Sequence, residues 1–198
     1  MLKKSFFALI VAVILLSFQS RPACAQSNTP KLELGAQYTL IHISVDGSQP
    51  TTDSGVGGRI GYNLTDHFGI EGEINFFPQK RRTGIYIDRQ KAEGLFGVKV
   101  GTHSDKVGIF GKLRPGFLFI SEGRLNPNIV FVKAPPLPVS QTKFALDFGG
   151  VLEFYPSRHS LLRFDLGDTV IHFSKSSISA SSFTNHNLQL SVGVGFRF

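Results

Sequence analysis

Within the segment HFS, His172 and Ser174 form the one pairing in this sequence that could build a nucleophile. On an extended strand, residues two apart share a face, so the imidazole could accept the hydroxyl proton and activate the oxygen. Such a base needs a third group to orient it. No Asp or Glu occurs after Asp168, and Lys175 follows the serine. The pair therefore lacks its third member, and no catalysis is expected of it. The remaining histidines are scattered. His67, His103 and His159 fall in or beside short polar connections, and His42 and His186, like His172, lie near long ones. No H-x-x-H spacing and no Cys/His cluster occurs, so neither a metal nor another cofactor is expected.

A larger set of ionisable residues recurs at alternating positions. Arg59, Lys99, Lys112, Arg114, Arg163 and Arg197 stand against Glu33, Glu71, Glu73, Glu93, Asp147, Glu153 and Asp165. Each alternates with apolar neighbours, which places all of them on one side of their strands. Six basic and seven acidic groups nearly cancel. Charges withdrawn from bulk water must pair and hydrogen-bond, because each ion costs several kcal/mol to desolvate. The chemistry expected here is a salt-bridged interior.

The elements that would position these residues are strands. Eight segments alternate with period two over about ten to thirteen residues each, and no useful helical period is found. They run LELGAQYTLIHI, GVGGRIGYNL, FGIEGEINFF, AEGLFGVKVG, VGIFGKLRPGFLF, TKFALDFGGVLEF, LLRFDLGDTVI and LQLSVGVGFRF. One face is rich in Leu, Ile, Val and Phe. The other carries the charges together with Gly57, Gly61, Gly97, Gly101, Gly108, Gly116, Gly149, Gly167, Gly193 and Gly195. Pro115 lacks a ladder donor and predicts a bulge or irregularity in the fifth segment. The connections alternate long and short, and the short ones are LTDH, THSDK and YPSRHS.

A water-soluble eight-stranded barrel has the same period. Glycine on a water-facing strand would weaken it without return, whereas small residues beside charges suit a narrow lumen. The nearly unbroken apolar faces suit a lipid-facing band about 25 Å tall. In hydrocarbon, a closed barrel is the only β arrangement that satisfies every backbone group. The expected fold is therefore all-β, an eight-stranded antiparallel up-and-down transmembrane β-barrel.

The first residues predict export. Lys3 and Lys4 precede the apolar run Phe6 to Phe18, and Ala23, Cys24 and Ala25 offer a cleavage site. Residues 1–25 are expected to be a signal peptide and residues 26–198 the barrel domain. The chain carries a formal charge of +7, and Lys3, Lys4 and Arg21 would leave with the leader. The remaining excess is mild, and no basic helix or aromatic–basic interleave argues for nucleic acid.

With this strand pattern, YNLTDHFGIEGEINFF around the first tight turn and the terminal VGVGFRF, the chain resembles the small outer-membrane β-barrel proteins of Gram-negative bacteria, the OmpA/OmpX-like eight-stranded kind. The resemblance implies a cell-envelope location in the outer membrane, with lipids and lipopolysaccharide as surroundings. It also implies that Phe196 and Phe198 act as a signal to the outer-membrane assembly machinery. His172-x-Ser174 resembles the His-x-Ser of outer-membrane lipid A deacylases, which typically carry Asn after the serine and a downstream acid; this chain has neither. The loop segment containing Lys80, Arg81 and Arg82 is a candidate contact for lipopolysaccharide phosphates. The Pro-rich stretch 133–139 is a stiff loop segment. The expected role is structural or surface-exposed, with a closed polar lumen and no enzyme activity. A narrow porin or solute channel is the first alternative, and a lipid A deacylase the second. Oligomeric state is not legible.

Overall fold

Alternation of bulky apolar with small or charged residues gives each segment two chemically opposite faces, and closing the sheet on itself separates those faces. The computed structural model describes residues 30–43, 51–78, 82–83, 86–87, 89–126, 137, 139–173 and 183–198. The proposed leader lies outside them. Among them are eleven strands: β1 Leu32–Ile43, β2 Thr51–Asn63, β3 Phe68–Phe77, β4 Arg82–Thr83, β5 Tyr86–Ile87, β6 Lys91–His103, β7 Val107–Ile120, β8 Arg124–Leu125, β9 Gln141–Phe154, β10 Ser160–Phe173 and β11 Phe183–Arg197.

Eight of these close into a barrel in the order β1-β11-β10-β9-β7-β6-β3-β2, and every neighbouring pair is antiparallel. The seam joins the first and last strands. Leu32 N donates to Phe198 O at 3.1 Å, and Phe198 N donates to Leu32 O at 2.8 Å. The stagger can be traced from one register partner to the next. Starting at Phe154, the path runs through Leu162, Val194, Ala36, Gly58, Ile74, Gly94 and Phe117. It returns to β9 at Phe144, ten residues from its origin. A ten-residue stagger over eight strands tilts them by roughly 40° and leaves an interior just wide enough for side chains.

The short connections are built by hydroxyl caps. Thr65 Oγ1 accepts from His67 N and Phe68 N, Ser104 Oγ from Val107 N, and Ser157 Oγ from His159 N and Ser160 N. These three turns define one end of the barrel, the turn end; the long connections leave from the loop end. The two-residue strands β4, β5 and β8 form a separate small sheet within the long connections. They are too short to carry a readable period.

At Pro115 the expected irregularity takes the form of a broken ladder, and the interior departs from the expected polarity. Register is the same on both sides of Pro115: Leu95 pairs with Gly116 and Val98 with Leu113. The β6–β7 ladder is interrupted at the intervening positions without a bulge. Pro115 keeps its register partner Leu146 on the opposite neighbour. The interior is also not polar throughout. Leu95, Leu118, Ile120, Ala145 and Ile171 form a buried cluster inside the loop end.

Candidate functional site

The lumen holds the densest chemistry of the molecule. Arg59, Glu71, Glu73, Lys99, Lys112, Arg114, Asp147, Glu153, Arg163, Asp165 and Arg197 all point inward and are buried, as are Glu33 and Glu93. Their positions follow from alternation on eight tilted strands, which delivers one inward side chain every second residue from every direction. Glycine makes the necessary room. A Cβ on Gly167 would stand 2.8 Å from Asp147 Oδ1 and 3.1 Å from Lys112 Cε, so that ion pair occupies the glycine's missing volume.

The strongest contacts centre on two arginines. Arg163 reaches Glu71 at 2.7 Å, Asp165 at 2.6 Å and Glu153 at 3.1 Å. Arg114 reaches Asp147 at 2.6 Å and Glu71 at 3.1 Å, and also binds Glu73. Glu71 thus links both guanidinium groups. Lys112 lies between Asp147 at 3.0 Å and Asp165 at 3.3 Å. Lys99 lies between Glu33 at 2.9 Å and Glu153 at 3.1 Å. Arg59 stands 3.8 to 3.9 Å from Glu33, Glu71 and Glu153. Arg197 lies 3.4 Å from Glu33 and caps the turn end over the Tyr155 ring, 4.0 Å from its centroid. The Tyr155 hydroxyl donates to Glu153 at 2.7 Å. Burial and that neighbouring carboxylate push the phenol, which lies in the turn, well above its ordinary range.

Every one of the six cations has a carboxylate, and six of the seven carboxylates have a cation. Glu93 is the remainder. It forms no ion pair among the described residues; its Oε2 accepts from Asn75 Nδ2 at 2.9 Å and from Gln189 Nε2 at 3.2 Å. Around it lies a neutral layer. Thr39 Oγ1 donates to Asn75 Oδ1 at 3.2 Å and also contacts Ser191 Oγ, while Thr169 Oγ1 donates to Gln189 Oε1 at 2.7 Å. Beyond this layer, towards the loops, the interior becomes mainly apolar with Ile41, Phe77, Leu95, Leu118, Ile120 and Ile171, and one part-buried ion pair, Lys91 with Asp53, stands at the same level. A cavity of about 10 Å³ near the turn end is lined in part by Asn63, Lys99, Phe110, Tyr155 and Arg197. That is room for roughly one water.

The other sequence candidates lie elsewhere. Phe196 and Phe198 face outward, each 65% exposed. Lys80, Arg81, Ser174 and most of the stretch 133–139 lie outside the described residues, and of Arg82 only the β4 backbone is described. His172 is on the outer face of β10, and its Nδ1 meets Thr184 Oγ1 at 3.2 Å. Asp168, four residues before it on the same face, meets His186 Nδ1 at 2.5 Å. That cross-strand choice depends on the β10–β11 register, which the sequence alone does not expose.

Comparison with known proteins agrees with this architecture. The sequence pattern described as "Outer membrane protein beta-barrel domain" matches residues 9–198. Among curated proteins, none matches the sequence. Three solved structures illustrate the likeness of fold. The crystal structure of Ail, the attachment invasion locus protein of Yersinia pestis, is 16% identical with a TM-score of 0.55, covering 86% of this chain and 99% of that one. Neisserial surface protein A is 13% identical with a TM-score of 0.55, covering 84% of this chain and 97% of that one. OprG from Pseudomonas aeruginosa is 13% identical with a TM-score of 0.52, covering 86% of this chain and 96% of that one.

Proposed function

The chain belongs to the outer membrane protein β-barrel domain family, and on that premise we propose that it is a closed outer-membrane anchor with a structural or surface role. The observation that carries this reading is the lumen itself. Salt-bridged groups fill its turn end, hydrogen-bonded amides and hydroxyls its middle, and apolar side chains its loop end. A continuous water column would have to displace paired ions, and removing either partner of such a pair is costly. The short turns face the periplasm and the long loops the exterior, the usual arrangement of such barrels. Residues 1–25 serve as the export signal. Phe196 and Phe198 serve as the mark read by the assembly machinery, and lipopolysaccharide phosphates contact the loop basic residues Lys80, Arg81 and Arg82. No catalytic role is assigned to His172, because its Nδ1 is engaged by Thr184 and Asp168 is taken by His186.

The decisive experiment is conductance of the purified protein in a planar bilayer. Silence, or only brief small events, is the expected record. Stable, large conductance would replace this reading with the porin. Mass spectrometry of lipid A from expressing cells should show an unchanged acyl pattern; loss of an acyl chain would promote the deacylase. Deleting Phe198 should impair assembly far more than truncating the loop at Ser176–Ser182.

A further inference from the structure

On the outer wall, the lipid-facing side chains are apolar nearly everywhere, and departures from that rule concentrate at one place. Asp168 is the only acidic residue on the outward faces of the described barrel strands. A carboxylate there is expensive unless partnered, so its position asks for a reason. It is held by His186 Nδ1 at 2.5 Å and by the Asn187 backbone N–H at 2.9 Å. Two more outward imidazoles stand on the same side. His42 on β1 meets Thr52 Oγ1 through Nδ1 at 3.0 Å, and His172 on β10 meets Thr184 Oγ1 through Nδ1 at 3.2 Å.

The three histidines belong to adjacent strands, β1, β11 and β10. Sharing the ten-residue stagger over eight strands brings them to one height, within about one and a half residues. They stand at the loop end, above Leu40, Leu188, Leu190 and Leu166, where the apolar band stops. At the same height on the next strands round the barrel, β9 and β7, Phe144, Phe117 and Phe119 are exposed, and Phe144 is the register partner of His172. Round the rim, an arc of imidazoles on β1, β11 and β10 therefore gives way to an aromatic arc on β9 and β7. In each imidazole the Nδ1 is tied to a neighbouring strand, which fixes the ring and leaves Nε2 without a partner among the described residues.

We propose that the loop-end wall formed by β1, β11 and β10 binds the phosphate-bearing headgroup of an outer-leaflet glycolipid, held by the Nε2 groups of His42, His172 and His186. The placement rests on the proposed orientation, in which the loop end meets the outer leaflet. An anion brought to Nε2 favours the protonated ring, in which both nitrogens donate, so a phosphate can be held by His186 while its Nδ1 donates to Asp168. Phosphate oxygens level with the end of the acyl chains would meet these rings, while the chains themselves would lie against the leucines below. Asp168 is a positioning residue, since it orients His186 without facing the ligand.

The test uses the full barrel in phosphatidylcholine nanodiscs, alone, with lipid A, or with lipid A stripped of its phosphates. A fourth sample in detergent receives inorganic phosphate only. Imidazole NMR shifts and the amount of co-isolated lipid are read together. Phosphorylated lipid A should shift all three histidines. The variant His42→Gln/His172→Gln/His186→Gln should retain roughly tenfold less of it, the loss expected from removing charge-assisted hydrogen bonds. A second variant, His42→Gln/His172→Gln, leaves the Asp168 pair intact and should show an intermediate loss should the triple variant fold poorly. Phe76→Leu on β3, across the barrel from β10, should retain the wild-type amount. Equal retention of dephosphorylated lipid A, equal shifts with inorganic phosphate alone, or wild-type retention by the double variant would each overturn the assignment. Protease access to the loops in intact cells reports the orientation separately, so failure of the headgroup site and failure of the orientation are distinguishable.

Discussion

The two ends of the lumen are filled by side chains that interact through different physics. At the turn end, Arg163 holds Glu71, Asp165 and Glu153 at 2.6 to 3.1 Å, and each contact depends on direction as well as distance. At the loop end, Leu95, Leu118, Ile120, Ala145 and Ile171 meet without any directional requirement. An ion pair in a dry interior is unforgiving of a missing partner, since the orphaned charge keeps its desolvation cost. An apolar contact loses only the buried area and the space left behind. Equal burial therefore does not mean equal vulnerability.

The largest effect should come from Arg163→Met. It leaves Glu71, Asp165 and Glu153 each short of a cation, and a loss of roughly 3–5 kcal/mol is expected from denaturant unfolding in vesicles. A loss under 1 kcal/mol would show that water or neighbouring cations replace the guanidinium, and the contrast between the ends would collapse. Next comes Leu118→Ala at the apolar end, expected to cost about 2–3 kcal/mol by the same measurement. On the proposed closed lumen, it should leave bilayer conductance unchanged, because the salt-bridged section below keeps its ion pairs. Appearance of conductance would identify the apolar layer as the true seal.

The finest test applies one chemical change at two heights. Glu71→Gln removes the charge shared by Arg163 and Arg114 and should cost about 3 kcal/mol. Glu93→Gln removes the carboxylate that pairs with no cation, keeps an acceptor oxygen for Asn75 and Gln189, and should shift stability by less than about 1 kcal/mol. Equal losses would mean that Glu93 has a cationic partner in solution and that the six-against-six pairing is wrong.

Much of this arrangement was readable from alternation. Period two placed Glu71, Arg114 and Arg163 on the same side of their strands because each is flanked by apolar residues. The apolar end was harder to read. In FLFI, Phe117 to Ile120, every residue is apolar, so composition does not distinguish the inward Leu118 from the outward Phe117 and Phe119. The partner of each charge was equally hidden, since it depends on what crosses the lumen and not on what stands nearby in sequence. That is why Glu93 could be placed inward but not recognised as the unpaired acid. Asp168 escaped notice because its meeting with His186 depends on the β10–β11 register.

The cross-lumen pairs also bear on how the molecule comes into being. Arg163 and Glu71 are 92 residues apart along the chain, and Lys99 and Glu33 are 66 apart. The seam itself joins β1 to β11, the first and last barrel strands in chain order. An open sheet laid into hydrocarbon one strand at a time would expose both an unpaired edge and half of these charges to lipid. Strands entering singly would therefore meet a steep cost. Curling, pairing and insertion are expected to proceed as one cooperative event, completed when β1 and β11 meet at the seam.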